Sequence, residues 1–139
     1  MTSSTEETEA VGRRLAERLD GEGRRRAFIA MRGEMGVGKT AFTRGFASHF
    51  GIFGVKSPTY TVVNEYRGGG VRIYHFDMYR ITDGDDLYSI GYDDYVEADG
   101  FAIAEWSENV EEFLPEDAIF VTVSRVEGST EKRKIEIAG

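Results

Sequence analysis

Cysteine is absent from these 139 residues, which excludes a disulfide framework and thiolate metal sites and fits a reducing compartment. No stretch approaches the roughly 18 apolar residues that a membrane-crossing helix needs. The opening MTSSTEETEA is polar and acidic, with neither the basic start nor the apolar run of a signal peptide. A soluble, cytoplasmic protein is the expectation, with no membrane partner. Positive charge is also scarce: 17 Lys and Arg stand against 25 Asp and Glu, for a formal net charge of -8. Tight autonomous binding to a phosphate backbone needs clustered cations, so any nucleic acid would be held mainly by partners. The one basic run, Arg24-Arg25-Arg26, reads as the solvated flank of a strand.

What is present suffices for a core. Hydrophobic residues make up 40% and aromatic residues 12%, and this length suits one domain spanning 1–139. Ser4-Thr5-Glu6-Glu7 has the spacing of a capping box. Val11, Leu15 and Leu19 then recur every fourth residue, which predicts an amphipathic helix ending near Asp20-Gly21. Ala27–Met31 reads as a buried strand. Phe42, Phe46 and Phe50 form one helical stripe, with Gly51 placed to stop it.

Beyond Pro58 the chain turns extended. Residues 60–67 and 71–77, separated by Gly68-Gly69-Gly70, predict a hairpin. Residues 82–98 suggest short helical pieces broken at Gly91, and their aspartates offer a surface for a partner over 83–99. Phe101–Ala104 is another apolar strand, and 107–113 a short helix before Pro115. The alternating runs Ile119-Val121-Val123 and Arg133-Ile135-Ile137 predict a closing hairpin around Gly128-Ser129-Thr130. The order implies an α/β fold, a P-loop NTPase-like three-layer sandwich with a mixed parallel and antiparallel sheet.

Gly33-x4-Gly38-Lys39-Thr40 matches the phosphate-loop pattern in full. Glycines let successive backbone N–H groups approach phosphate oxygens. The helix that follows turns its N-terminal donors toward the same anion. Lys39 is a point charge for the β- and γ-phosphates, and the Thr40 hydroxyl is a hard oxygen ligand suited to magnesium. The segment Glu34, Met35, Gly36, Val37, Gly38, Lys39, Thr40 and Ala41 is therefore expected to hold ATP and Mg2+. Magnesium also needs a carboxylate at the end of a strand beside the loop's own strand, and Asp77 and Glu105 both end apolar runs. One would hold the metal's shell while the other orients the attacking water.

Thr59 lies 19 residues after Thr40, where phosphate-loop proteins keep a switch that senses the γ-phosphate. Trp106 either packs in the core or walls the site. His49 and His75 lack partners at metal-ligand spacing and read as core or surface residues. Arg44 and Arg80 are candidate stabilisers of transferred charge. No N-K-x-D follows the loop, which favours adenine over guanine, and the chain is short for a substrate lid. A free-standing small-molecule kinase and a non-hydrolysing ATP-dependent binding module stay open beside an ATPase.

The ordered set GEMGVGKT (33–40), SPTY (57–60), YHFDMYR (74–80), DLYSIGYDDY (86–95) and AEWSEN (104–109) resembles the bacterial TsaE family, also called YjeE. The likeness runs from about Thr8 to Arg133. GEMG stands where the family more often shows GDLG, and AEW where it shows IEW. The resemblance implies a small ATPase supporting turnover of a TsaD–TsaB pair that forms threonylcarbamoyladenosine on tRNA next to the anticodon. It implies that Lys39 and Thr40 serve phosphates and magnesium, and that Glu105 joins Thr40 at the metal. It further implies that Thr59 and Asp77 are needed for activity, and that Thr8, Trp106, Glu108 and Arg133 lie near the nucleotide.

Overall fold

Ser4 starts the first helix as its spacing to Glu7 requires. Its Oγ accepts the Glu7 backbone N–H at 3.1 Å, and helix α1 runs over Thr5–Gly21. This cap satisfies one of the donors that every helix N-terminus leaves open. Leu15, Ala16 and Leu19 are buried, while Val11 is only half-buried. The computed structural model describes residues 2, 4–24, 26–33, 39–55, 63–77, 100–105, 114–128 and 132–138, with Asp77 described by its backbone alone. The expected pieces within 82–98 and 107–113, and the middle of the 128–130 turn, lie outside the described residues.

Six strands form one sheet: β1 Arg26–Arg32, β2 Val63–Gly68, β3 Val71–Asp77, β4 Gly100–Glu105, β5 Ile119–Arg125 and β6 Arg133–Ala138. Their order is β2-β3-β4-β1-β5-β6. β1 runs parallel to β4 and β5, and β3 parallel to β4. The edge strands β2 and β6 are antiparallel to β3 and β5. The sheet is mixed, as the two hairpin signatures and the two fully apolar runs predict. β1 and β4 are central and buried on both faces, which is why they read as continuous apolar runs rather than alternating ones. In the first hairpin Gly68 still pairs with Val71. The turn is therefore only Gly69-Gly70, both at positive φ, the geometry a two-residue hairpin favours.

Helix α2 spans Lys39–Ser48 and shares one face of the sheet with α1. Leu15, Leu19, Phe42 and Phe46 pack there against Ile29, Met31, Ile73, Phe101, Ile103 and Val121 in one core. The opposite face, with Ala30, Phe76 and Ala104 fully buried, is covered as well, as a three-layer arrangement requires. Phe46 meets Phe101 edge-on at 5.3 Å, and Phe50 stacks on Phe101 at 5.4 Å. Each such pair adds about 1 kcal/mol beyond simple burial, and together they fix α2 and the turn that follows it against β4. The helices touch backbone to backbone. A Cβ at Gly45 would overlap the Glu9 carbonyl, and one at Gly12 the Phe42 carbonyl. Glycine at these two positions sets the interhelical distance.

Candidate functional site

Parallel strands put their carboxyl ends on one edge of the sheet, the usual place for ligands in open α/β sheets. Gly33 follows β1 at that edge, with φ 141°, a backbone conformation open to glycine. Six residues after Gly33, α2 begins at Lys39. The lysine is buried, with 4% of its surface exposed, and its Nζ donates to the Gly33 carbonyl at 2.8 Å. The ammonium is thus folded back onto the first glycine of the loop. Thr40 beside it is half-buried and Ala41 buried.

Glu105 ends β4, the strand next to β1; Ala30 pairs with Ala104 immediately before it. Strand alternation puts Glu105 on the face of Phe101 and Ile103, the face that α2 covers. Glu105 as a whole is 6% exposed. Its Oε2 lies 2.6 Å from Nε2 of His75, a residue with no exposed surface. With Glu105 ionised its oxygens can only accept, so the His75 Nε2–H is then the donor. Asp77 is the backbone partner of Glu105 across β3 and β4. It therefore stands one strand further from β1, and Glu105 alone of the two carboxylates meets the requirement of lying beside the loop's strand.

The N-terminal segment reaches the same edge. Thr2 and Arg133 exchange backbone hydrogen bonds at 2.7 and 2.8 Å, and Arg133 pairs with Arg125 at the carboxyl end of β5. The Thr2 hydroxyl meets that of Thr8 at 2.9 Å, with both side chains buried, and Thr8 Oγ1 also donates to the Ser4 carbonyl at 3.2 Å. Thr8 and Arg133, distant in sequence, are thus brought together through Thr2, at the edge that carries Lys39 and Glu105.

Of the other residues expected from sequence, Glu34, Met35, Gly36, Val37, Gly38, Thr59, Trp106 and Glu108 lie outside the described residues, as does Arg80. Arg44 lies 3.4 Å from Glu9 at the α1–α2 surface. His49 pairs with Asp20 at 2.9 Å in a partly exposed position. His75 is the residue that sequence reasoning left in the background. A usable signal existed: positions two apart on a strand share one face, so a histidine two residues before a candidate carboxylate falls on the candidate site's face of the sheet.

The buried pair of ammonium and carboxylate fits a magnesium-bound polyphosphate. A buried ammonium gains from the negative charge of phosphate, and a buried carboxylate from a divalent cation. Hydroxyl and carboxylate oxygens are the donors that magnesium takes, with few protein ligands required.

A family model described as threonylcarbamoyl adenosine biosynthesis protein TsaE matches residues 2–135. The tRNA threonylcarbamoyladenosine biosynthesis protein TsaE of Haemophilus influenzae is 45% identical over 96 residues, covering 68% of this chain and 61% of that protein. Its namesake from Bacillus subtilis is 38% identical over 98 residues, 70% of this chain and 61% of that one. The match thus spans about 61% of the length of these two relatives. The Streptomyces coelicolor protein of the same name is 34% identical over 135 residues and covered to 88%. Among solved structures, YdiB of Bacillus subtilis superposes with a TM-score of 0.75 at 29% identity, over 96% of this chain and 79% of that one.

Proposed function

The chain belongs to the TsaE family of threonylcarbamoyl adenosine biosynthesis proteins, and from that premise we propose that its carboxyl edge is a magnesium-dependent ATPase site serving a tRNA-modifying assembly. The observation that carries the reading is the buried pair at the ends of adjacent elements, Lys39 at the start of α2 and Glu105 at the end of β4. Lys39 would exchange its bond to the Gly33 carbonyl for phosphate oxygens as ATP enters. The N-terminus of α2 adds backbone donors and the positive end of its dipole. Thr40 and Glu105 would hold Mg2+, which neutralises charge on the phosphates when bound. Asp77, on the neighbouring strand end, is the residue we assign to orienting the attacking water, and Thr59 to sensing the γ-phosphate. Thr8 and Arg133, joined through Thr2, and Trp106 and Glu108 complete the nucleotide's surroundings.

The formal charge of -8 supports a division of labour in which tRNA is held by a TsaD–TsaB-like pair rather than by this chain. The site is then an engine supporting repeated turnover of the pair, and it hydrolyses ATP slowly by itself. Turnover of ATP by the purified chain, measured alone and with the pair and tRNA, tests this. Stimulation by the pair that is lost in Lys39→Ala supports the reading. Tight ATP binding without turnover under either condition favours a binding module, and phosphate transfer to a small acceptor without any partner favours a kinase.

A further inference from the structure

We infer that His75 is a positioning residue for the Glu105 carboxylate, holding it through the Nε2–H so that it faces the metal rather than the core. The inference rests on the magnesium-nucleotide reading above and assigns to that site a residue which the loop motif does not contain. His75 pairs in register with Ile103 on β4, and Glu105 is the next residue on the same face of that strand. The histidine thus lies diagonally across from the carboxylate, within reach of a ring. The contact is short, at 2.6 Å, and the two side chains are only 0% and 8% exposed. A charge-assisted bond of this length orients a carboxylate strongly.

Among the described residues, a second histidine–carboxylate contact provides the contrast. His49 and Asp20 meet at 2.9 Å with side chains 23% and 43% exposed, a surface pair of the kind that contributes little.

The second ring nitrogen argues against a merely space-filling role. Nδ1 of His75 is buried without a hydrogen-bond partner among the described residues. A leucine or methionine would fill the same volume without burying an unpaired nitrogen. What histidine supplies, and they do not, is the donor to Glu105. Committing Oε2 to His75 leaves Oε1 uncommitted to the ring. Residues that hold a metal-binding side chain from behind in this way alter metal affinity by about 10- to 100-fold when removed.

The test measures ADP affinity with magnesium and with EDTA, in wild type, His75→Met and His75→Gln. Glutamine carries an amide N–H near the place of Nε2, whereas methionine has similar length and no donor. The strengthening of ADP binding by magnesium is expected to fall about tenfold in His75→Met. It should return to within about threefold of wild type in His75→Gln, with affinity in EDTA shared by all three. Should His75→Met not fold, His75→Gln against His75→Asn gives the same comparison, because asparagine is one methylene too short. Magnesium strengthening that is intact in His75→Met overturns the inference, as does equal loss in His75→Met and His75→Gln with unchanged thermal midpoints. A wild-type chain whose ADP affinity ignores magnesium overturns the magnesium-nucleotide reading itself, and the inference with it.

Discussion

At the amino edge of the sheet, Arg26 and Asp117 stand in solvent beside a cleft of about 330 Å3 that Phe28, Ala102 and Pro115 also line. At the carboxyl edge, Lys39, His75, Glu105, Thr2 and Thr8 are all buried. A charge left in water costs folding nothing, while a buried one must be compensated by partners. The same sheet thus has one edge where charged side chains are exposed and another where polar groups are withdrawn from water and hydrogen-bonded. The contrast teaches where the fold accepts the cost of withdrawing polar groups from water. Desolvated, hydrogen-bonded polar groups are what single out the carboxyl edge for the proposed chemistry.

The largest blow to this contrast is Lys39→Ala. Losing several charge-assisted bonds to phosphate should weaken ATP binding by about 100-fold, or ~2.7 kcal/mol, with the thermal midpoint little changed; isothermal titration and a melting curve check both. Gly45→Ala attacks the scaffold instead. Forcing α2 off the Glu9 backbone should cost about 2–3 kcal/mol in urea unfolding and weaken ATP binding as well, because α2 carries Lys39. Ser4→Ala removes the N-cap of α1 and should cost about 1 kcal/mol of stability, leaving affinity for ATP intact. The smallest effect belongs to the amino edge. Asp117→Asn should change stability by no more than about 0.5 kcal/mol and nucleotide affinity not at all, and a marked loss of affinity there would erase the distinction between the edges.

Much of the scaffold was legible from local chemistry. The Ser4 cap, the Phe42/Phe46 stripe, the central strands and both hairpins follow from spacing, because each is decided by neighbours in sequence. The α/β class and the mixed sheet follow from the order of those pieces. The choice between Asp77 and Glu105 was not legible in this way. Both end apolar runs, and only strand order places β4 next to β1 and β3 beyond it. The bond from His75 to Glu105 was equally hidden, since 30 residues separate the two and the contact depends on the β3–β4 register. The clasp of Thr2 to Arg133 joins residues far apart in sequence, and no spacing rule reaches that far. The closeness of α1 to α2 was present in the sequence as Gly12 and Gly45, yet a glycine within a helix pattern says nothing of its partner until the helices cross.

The most direct test of the central claim is ATP binding measured with magnesium and with EDTA, in wild type and in Glu105→Gln. The account predicts that magnesium strengthens wild-type binding by at least about tenfold, that Glu105→Gln abolishes this gain, and that the two proteins bind alike in EDTA. Wild-type affinity indifferent to magnesium, or a Glu105→Gln variant that keeps the full gain, would contradict it.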